Sequence, residues 1–210
     1  MRLFHEGFHF YICGILILTL GIALTIQSQL GASPFDALLV GLHRTFGLTI
    51  GSWEIVVGLT MVLCNSIAEK KRPEYYALLT SFITGAGIDF WLLLINNWIA
   101  PEAWMGQYIS LTIGILLTGI GVATYLQSTF APNPLDRSML IISRLTGWNM
   151  TYSRAFISII LVILAFFFNG AIGIGTLINA LVTGALITIF LPYIKAIYDR
   201  LSARHNTLSS

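Results

Sequence analysis

Six stretches of this chain are apolar for close to 20 residues each, at about 10–29, 50–67, 75–98, 108–127, 150–168 and 172–194. A helix needs roughly 20 such residues to cross about 30 Å of hydrocarbon, so the pattern predicts a polytopic membrane protein. The rest of the composition agrees. Only 10% of residues are charged and the mean hydropathy is +0.83, too little polar matter to cover a soluble domain, which carries about 25% charge. The net charge of +2 is spread over span ends rather than gathered in a patch, which excludes a nucleic-acid surface. The first run is too long for a signal peptide and ends in Gln27-Ser28-Gln29-Leu30-Gly31 rather than at a small-residue cleavage site, so it reads as a span. Cys13 and Cys64 both sit in apolar runs and read as small buried hydrophobes, not as a disulfide or metal site. There is no Ser/His/Asp order, HExxH, phosphate loop or histidine cluster, so neither enzyme chemistry nor a cofactor is expected.

Between the first two runs lies Leu30-Gly31-Ala32-Ser33-Pro34-Phe35-Asp36, and one hundred residues later Phe130-Ala131-Pro132-Asn133-Pro134-Leu135-Asp136. Each has a capping side chain (Ser33, Asn133), proline at the first helical position and Asp at the third. That is a helix start, in which the cap accepts free N–H groups and the carboxylate meets the positive end of the dipole. The helices it predicts, 34–46 and 134–145, close at Gly47 and Gly147 and are too short to span. The echo is wider than the motif. From Gly14 to Asp36 against Gly114 to Asp136, nine of 23 positions are identical, including Gln27-Ser28 against Gln127-Ser128. Thr84-Gly85-Ala86 returns as Thr183-Gly184-Ala185. We read an internal duplication, with a first repeat over 1–100, a second over 101–210, and an uncharged hinge at 96–104.

Charge chooses the topology. If each short helix dips in and returns, three spans per half place Arg2, Lys70-Lys71-Arg72 and the tail with Lys195, Arg200, Arg204 and His205 on one side, as the positive-inside rule requires. An odd number of spans per half makes the repeats inverted. The expected fold is an all-α membrane protein of six transmembrane helices in two inverted three-span repeats, each with a short re-entrant helix. Both termini are expected in the cytoplasm and the tail frayed; eight spans in parallel repeats is the rival.

The pattern Leu30-Gly31-x-Ser33-Pro34-x-Asp36, the stretch Gly47-Leu48-Thr49-Ile50-Gly51-x-Trp53-Glu54, and Gly173-Ile174-Gly175-Thr176-x-x-Asn179-Ala180 resemble the bacterial YczE/YyaS/YitT family of integral membrane proteins, the YczE branch above all. The resemblance implies a location in a bacterial inner membrane and says little about substrate.

Among candidate residues, Asp36 and Asp136 read either as helix caps or as groups beside a central site at which the two helix starts meet, with Ser33, Asn133, Gln27 and Gln127 around it. Asp89 falls mid-span, where a carboxylate is expected to be functional or internally hydrogen-bonded. Glu54 and Arg154, at equivalent positions, are expected to form an ion pair across the repeat interface, the alternative being that each snorkels to water. Arg44, Arg137 and Arg144, with His43, line the short helices and could attract anions or face solvent. Thr176, Asn179 and Thr183 read as close helix packing. The function expected is a transporter or channel-like permease for a small solute or ion, the alternative a non-transporting protein that anchors or assists a partner enzyme. Besides the bilayer, the partners considered are that solute or ion, a second copy, or another protein.

Overall fold

A computed structural model describes residues 3–95, 103–128, 130 and 133–208. Most of the hinge, Arg2, and Ala131-Pro132 of the second motif lie outside the described residues. Those described form eight helices: α1 (Leu3–Gln27), α2 (Pro34–Phe46), α3 (Ile50–Glu69), α4 (Tyr75–Ile95), α5 (Trp104–Tyr125), α6 (Pro134–Thr146), α7 (Met150–Phe167) and α8 (Ile174–Leu208). Six are long and apolar enough to cross a membrane; α2 and α6, at 13 residues each, are not. The tail departs from expectation. Instead of fraying after residue 194, α8 continues to Leu208, since beyond Pro192 it meets no further proline or glycine and runs through good helix formers.

The centre is the crossing of α1 and α5. Gly14 lies against Tyr125, Gly121 against Leu18, and Gly21 against Thr118, while the Ser110 hydroxyl donates to the Leu24 carbonyl at 2.9 Å. Residue numbers fall along one helix as they rise along the other, so the pair is antiparallel. A Cβ at Gly14 would come within 2.4 Å of the Tyr125 nitrogen, and one at Gly121 within 2.4 Å of the Leu18 nitrogen. Small residues of this kind are what let membrane helices pack closely where water supplies no hydrophobic drive.

The other directions follow in the same way. The Tyr11 hydroxyl donates to Thr80 and Thr19 lies against Gly87, so α1 and α4 are parallel. Leu111 meets Gly175 and Gly119 meets Leu186, so α5 and α8 are parallel. Gly51 meets Gly85 and Gly58 meets Ser81, so α3 and α4 are antiparallel. The short helices cross over between the halves: α2 packs on α7 and α6 on α3. Adding one hundred to the residue numbers maps α1–α4 packing onto α5–α8, α2–α7 onto α6–α3, and α2–α3 onto α6–α7. One contact breaks the pattern: α3 packs closely on α4, whereas α7 makes no comparable contact with α8.

The outward faces of α3, α7 and α8 carry Leu59, Leu63, Ile159, Ile163, Phe166, Leu177 and Leu181, all exposed, as a bilayer-facing surface requires. Tyr75, Tyr76 and Trp104 are exposed at helix starts, where amphipathic rings favour the headgroup level, and Tyr193 is exposed within α8.

A methyl at Gly51 would sit 2.0 Å from the Gly85 carbonyl oxygen, whereas one at Gly184 meets nothing within 4 Å. We expect Gly51→Ala to lower stability by about 1–3 kcal/mol and Gly184→Ala to leave it unchanged, measured by thermal unfolding in detergent.

Candidate functional site

The Ser33 hydroxyl accepts the Asp36 backbone N–H at 3.2 Å and donates to the Asp36 carboxylate, closing the first turn of α2. Asn133 accepts the Leu135 N–H at 3.0 Å and does the same for α6. The α2 start is deep, whereas at the α6 start Pro134 is buried and Leu135 and Asp136 are half-buried. Every residue from Pro34 to Leu42 is buried, while α2 emerges to exposed residues from His43 onward. The lead-in to α2 is fastened to the turn before α8: the Ala32 N–H donates to the Ala171 carbonyl (3.0 Å) and the Gly175 N–H to the Leu30 carbonyl (2.8 Å). Gly31 has φ +112°, and a Cβ there would be 2.7 Å from the Gly173 nitrogen, so glycine is required twice over. Two of the three stretches that carry the family resemblance, some 140 residues apart, therefore fold into one joint. Within it Thr176, Asn179 and Thr183 are buried, and the Thr183 hydroxyl donates to the Asn179 side chain at 2.7 Å.

The two helix starts line a common cavity of about 40 Å³, bounded by Ser33, Pro34 and Phe35 from α2, Leu135, Asp136 and Met139 from α6, and Arg154, Ile157, Ser158 and Leu161 from α7. That is room for about three waters. Asp136 accepts a hydrogen bond from the Tyr125 hydroxyl at 2.9 Å. Arg154 is half-buried on the same wall and makes no ion pair among the described residues. The cavity thus presents a carboxylate and a guanidinium that are not bonded to each other.

The ion pair expected between Glu54 and Arg154 does not form. Both α3 and α7 pack on the short helices, which stand between them, so equivalent positions face different partners. Glu54 is 1% exposed, lies within electrostatic reach of the buried Asp36, and leaves Oε1 without a hydrogen-bond partner. Asp89 is half-buried and accepts the Gly51 N–H at 2.8 Å, so its carboxylate serves the positive start of α3.

The basic residues expected as anion attractors are each engaged locally. Arg137 pairs with Glu69 (3.1 Å) and Glu74 (2.6 Å), and Arg144 reaches Glu69 at 3.4 Å, tying α6 to the α3–α4 turn. Arg44 donates to the Asn169 carbonyl at 2.9 Å, and His43 bonds the Leu48 carbonyl. Gln127, just past the end of α5, donates back to the Ala123 carbonyl in that helix, and Gln27 is half-buried at the end of α1. Sequence reading missed Tyr125, Ser81 and Thr84, whose types are common in membrane helices and stand out only once their partners are known.

Six spanning helices around two short-helix starts define a multi-pass helical membrane protein. The chain belongs to DUF6198, a family of unknown function, which it matches over residues 6–192. It is 46% identical to the uncharacterised protein YyaS of Bacillus subtilis over 89% of this chain and 92% of that one. It is 35% identical to the uncharacterised membrane protein YczE of the same organism, over 87% and 84% of the two chains. The stronger likeness is thus to YyaS, not to the YczE branch. An uncharacterised protein of Haemophilus influenzae is 28% identical over 83% of this chain and 78% of its own. No solved structure matches.

Removing the cap hydroxyl frees both the Asp36 N–H and its carboxylate. We expect Ser33→Ala to cost about 1 kcal/mol of stability in denaturant unfolding and Ser33→Thr to restore most of it.

Proposed function

We propose that the protein is a membrane permease for a small solute or ion, with its site in the cavity between the starts of α2 and α6. The observation that carries this reading is the cavity itself, bounded by both helix starts and holding Asp136 and Arg154 with no ion pair between them. Ionisable groups inside a membrane are costly and face cavities or pathways when they are kept. A carboxylate and a guanidinium facing a space for about three waters suit a small polar solute or a hydrated ion.

The architecture is read as two inverted repeats. The antiparallel crossing of α1 and α5 supports an odd number of crossings per half, and the hundred-residue map of helix contacts supports the two-fold relation. In this reading α2 and α6 are re-entrant and approach the centre from opposite faces, their irregular lead-ins buried in protein, as irregular backbone at membrane depth must be. The basic Lys70–Arg72 turn and the α8 tail then share the cytoplasmic side of a bacterial inner membrane.

The test is flux into liposomes holding the purified protein, scanned over small solutes and ions. We expect Asp136→Asn and Arg154→Gln each to lower the flux by at least about tenfold, a barrier change of roughly 1.4 kcal/mol, with Gly184→Ala unaffected. Absence of flux for every solute, together with a stably co-purifying partner, would replace the permease by a membrane anchor.

A further inference from the structure

A second cluster of polar side chains lies outside the cavity, in the seam between α3 and α4. Three buried oxygens there have no hydrogen-bond partner: Glu54 Oε1, Ser81 Oγ and Thr84 Oγ1. Their residues are 1%, 0% and 2% exposed. The hydroxyls are exceptional within this chain. Other buried Thr residues in the spans have partners, Thr19 on Ile15, Thr25 on Ile22, Thr118 on Gly114 and Thr124 on Ile120 in their own backbone, and Thr183 on the Asn179 side chain. The backbone bond is always available to a Ser or Thr in a helix. Ser81 and Thr84 do not make it, although no other group among the described residues receives their hydroxyls.

The three groups are on one level of the fold. One turn before Glu54, Gly51 meets Gly85; one turn after it, Gly58 meets Ser81, so close that a Cβ on Gly58 would be 2.4 Å from Ser81 Oγ. Glu54 is therefore bracketed along α3 by the contacts that bracket Ser81 and Thr84 along α4. From α2, Asp36 adds a second carboxyl within electrostatic reach. The remaining charged groups nearby are committed: Asp89 on α4 to the Gly51 N–H, and Arg137 on α6 to Glu69 and Glu74.

We propose that Glu54, Ser81 and Thr84, with Asp36 beside them, form a binding site for a hard monovalent cation, Na⁺. Oxygen donors that are buried, unbonded to one another and drawn from separate helices are the arrangement that surrounds a small cation. The donor set is oxygen alone, which suits hard ions; among the described residues no group of three His, Cys, Asp or Glu could hold a transition metal. Glu54 is the carboxyl with a free oxygen, and Asp36, whose carboxylate accepts the Ser33 hydroxyl, lies beside it. Divalent ions fit poorly, since Ca²⁺ takes about six to eight oxygens and Mg²⁺ keeps several waters. A proton on Glu54 would remove the charge but leave both hydroxyls unserved. The site is separate from the cavity at Asp136 and Arg154, and its binding equilibrium is measured without any transport, so it stands or falls independently of the permease reading.

The test is thermal unfolding of the purified full chain in detergent, followed by tryptophan fluorescence, with choline chloride replaced stepwise by NaCl at constant ionic strength. A ligand that binds only the folded state raises the midpoint in a saturable way. We expect that rise in the wild type and in Thr60→Ala, whose hydroxyl bonds its own helix at Val56. We expect its loss in Glu54→Gln, and a displacement to at least about tenfold higher Na⁺ in Ser81→Ala/Thr84→Ala. If Glu54→Gln does not fold, the double hydroxyl variant decides alone. Equal midpoints in the two salts for the wild type, or an unchanged Na⁺ response in the double variant, would overturn the proposal.

Discussion

Everything in this fold hangs on how closely α1 approaches α5. Gly14, Gly21, Gly114 and Gly121 are two pairs one hundred residues apart in sequence, and all four sit in the same crossing. No side chain separates the backbones there, so dispersion between main chains supplies the cohesion that water supplies in a soluble core. The crossing is antiparallel. That single fact sets the direction of α4 and α8, which run parallel to their partners, and through α4 the direction of α3. It also leaves too little room between the halves for α3 and α7 to pack extensively on one another, and the short helices take that position.

The short helices are where structure turns toward chemistry. A helix start buried in apolar surroundings has N–H groups that need acceptors, and Ser33 and Asn133 provide them. The lead-in chain is irregular and is held by backbone bonds to the turn before α8, a joint that only glycine at 31 and 173 permits. The result is an interior containing Asp36, Glu54, Asp136 and Arg154, four ionisable groups in a chain with few. The two halves distribute them unequally. At positions one hundred residues apart one half places Glu54 beside Asp36 and the other places Arg154 on the wall with Asp136, so like sequence positions carry opposite charge. In our proposals each half therefore has its own task, a cation in the first and a solute cavity at the second.

Much of this was legible in the sequence, for physical reasons. The bounds of α2 were read as 34–46 and found as Pro34–Phe46, because proline and the capping serine fix one end and Gly47 the other. Span positions followed from apolar length and agree with the helices to within a few residues, except at the start of α1, which begins at Leu3, and the end of α8. What the sequence hid was orientation. An offset of one hundred residues says that Glu54 and Arg154 are equivalent, but not which way either faces, and the intervening helices keep them apart. Arg137 and Arg144 looked like a free basic face because Glu69, their partner, lies on a different helix. Ser81 and Thr84 carried no signal, since a hydroxyl in a membrane helix normally bonds its own backbone.

The central claim is that α2 and α6 approach the same centre from opposite faces of the membrane. Leu48 and Trp148, both exposed, follow these helices at equivalent positions. Single cysteines at 48 and 148, in a chain whose Cys13 and Cys64 are replaced, would be labelled in sealed vesicles of known orientation with an impermeant maleimide. The account predicts that the two positions react from opposite sides. Labelling of both from the same side would contradict it.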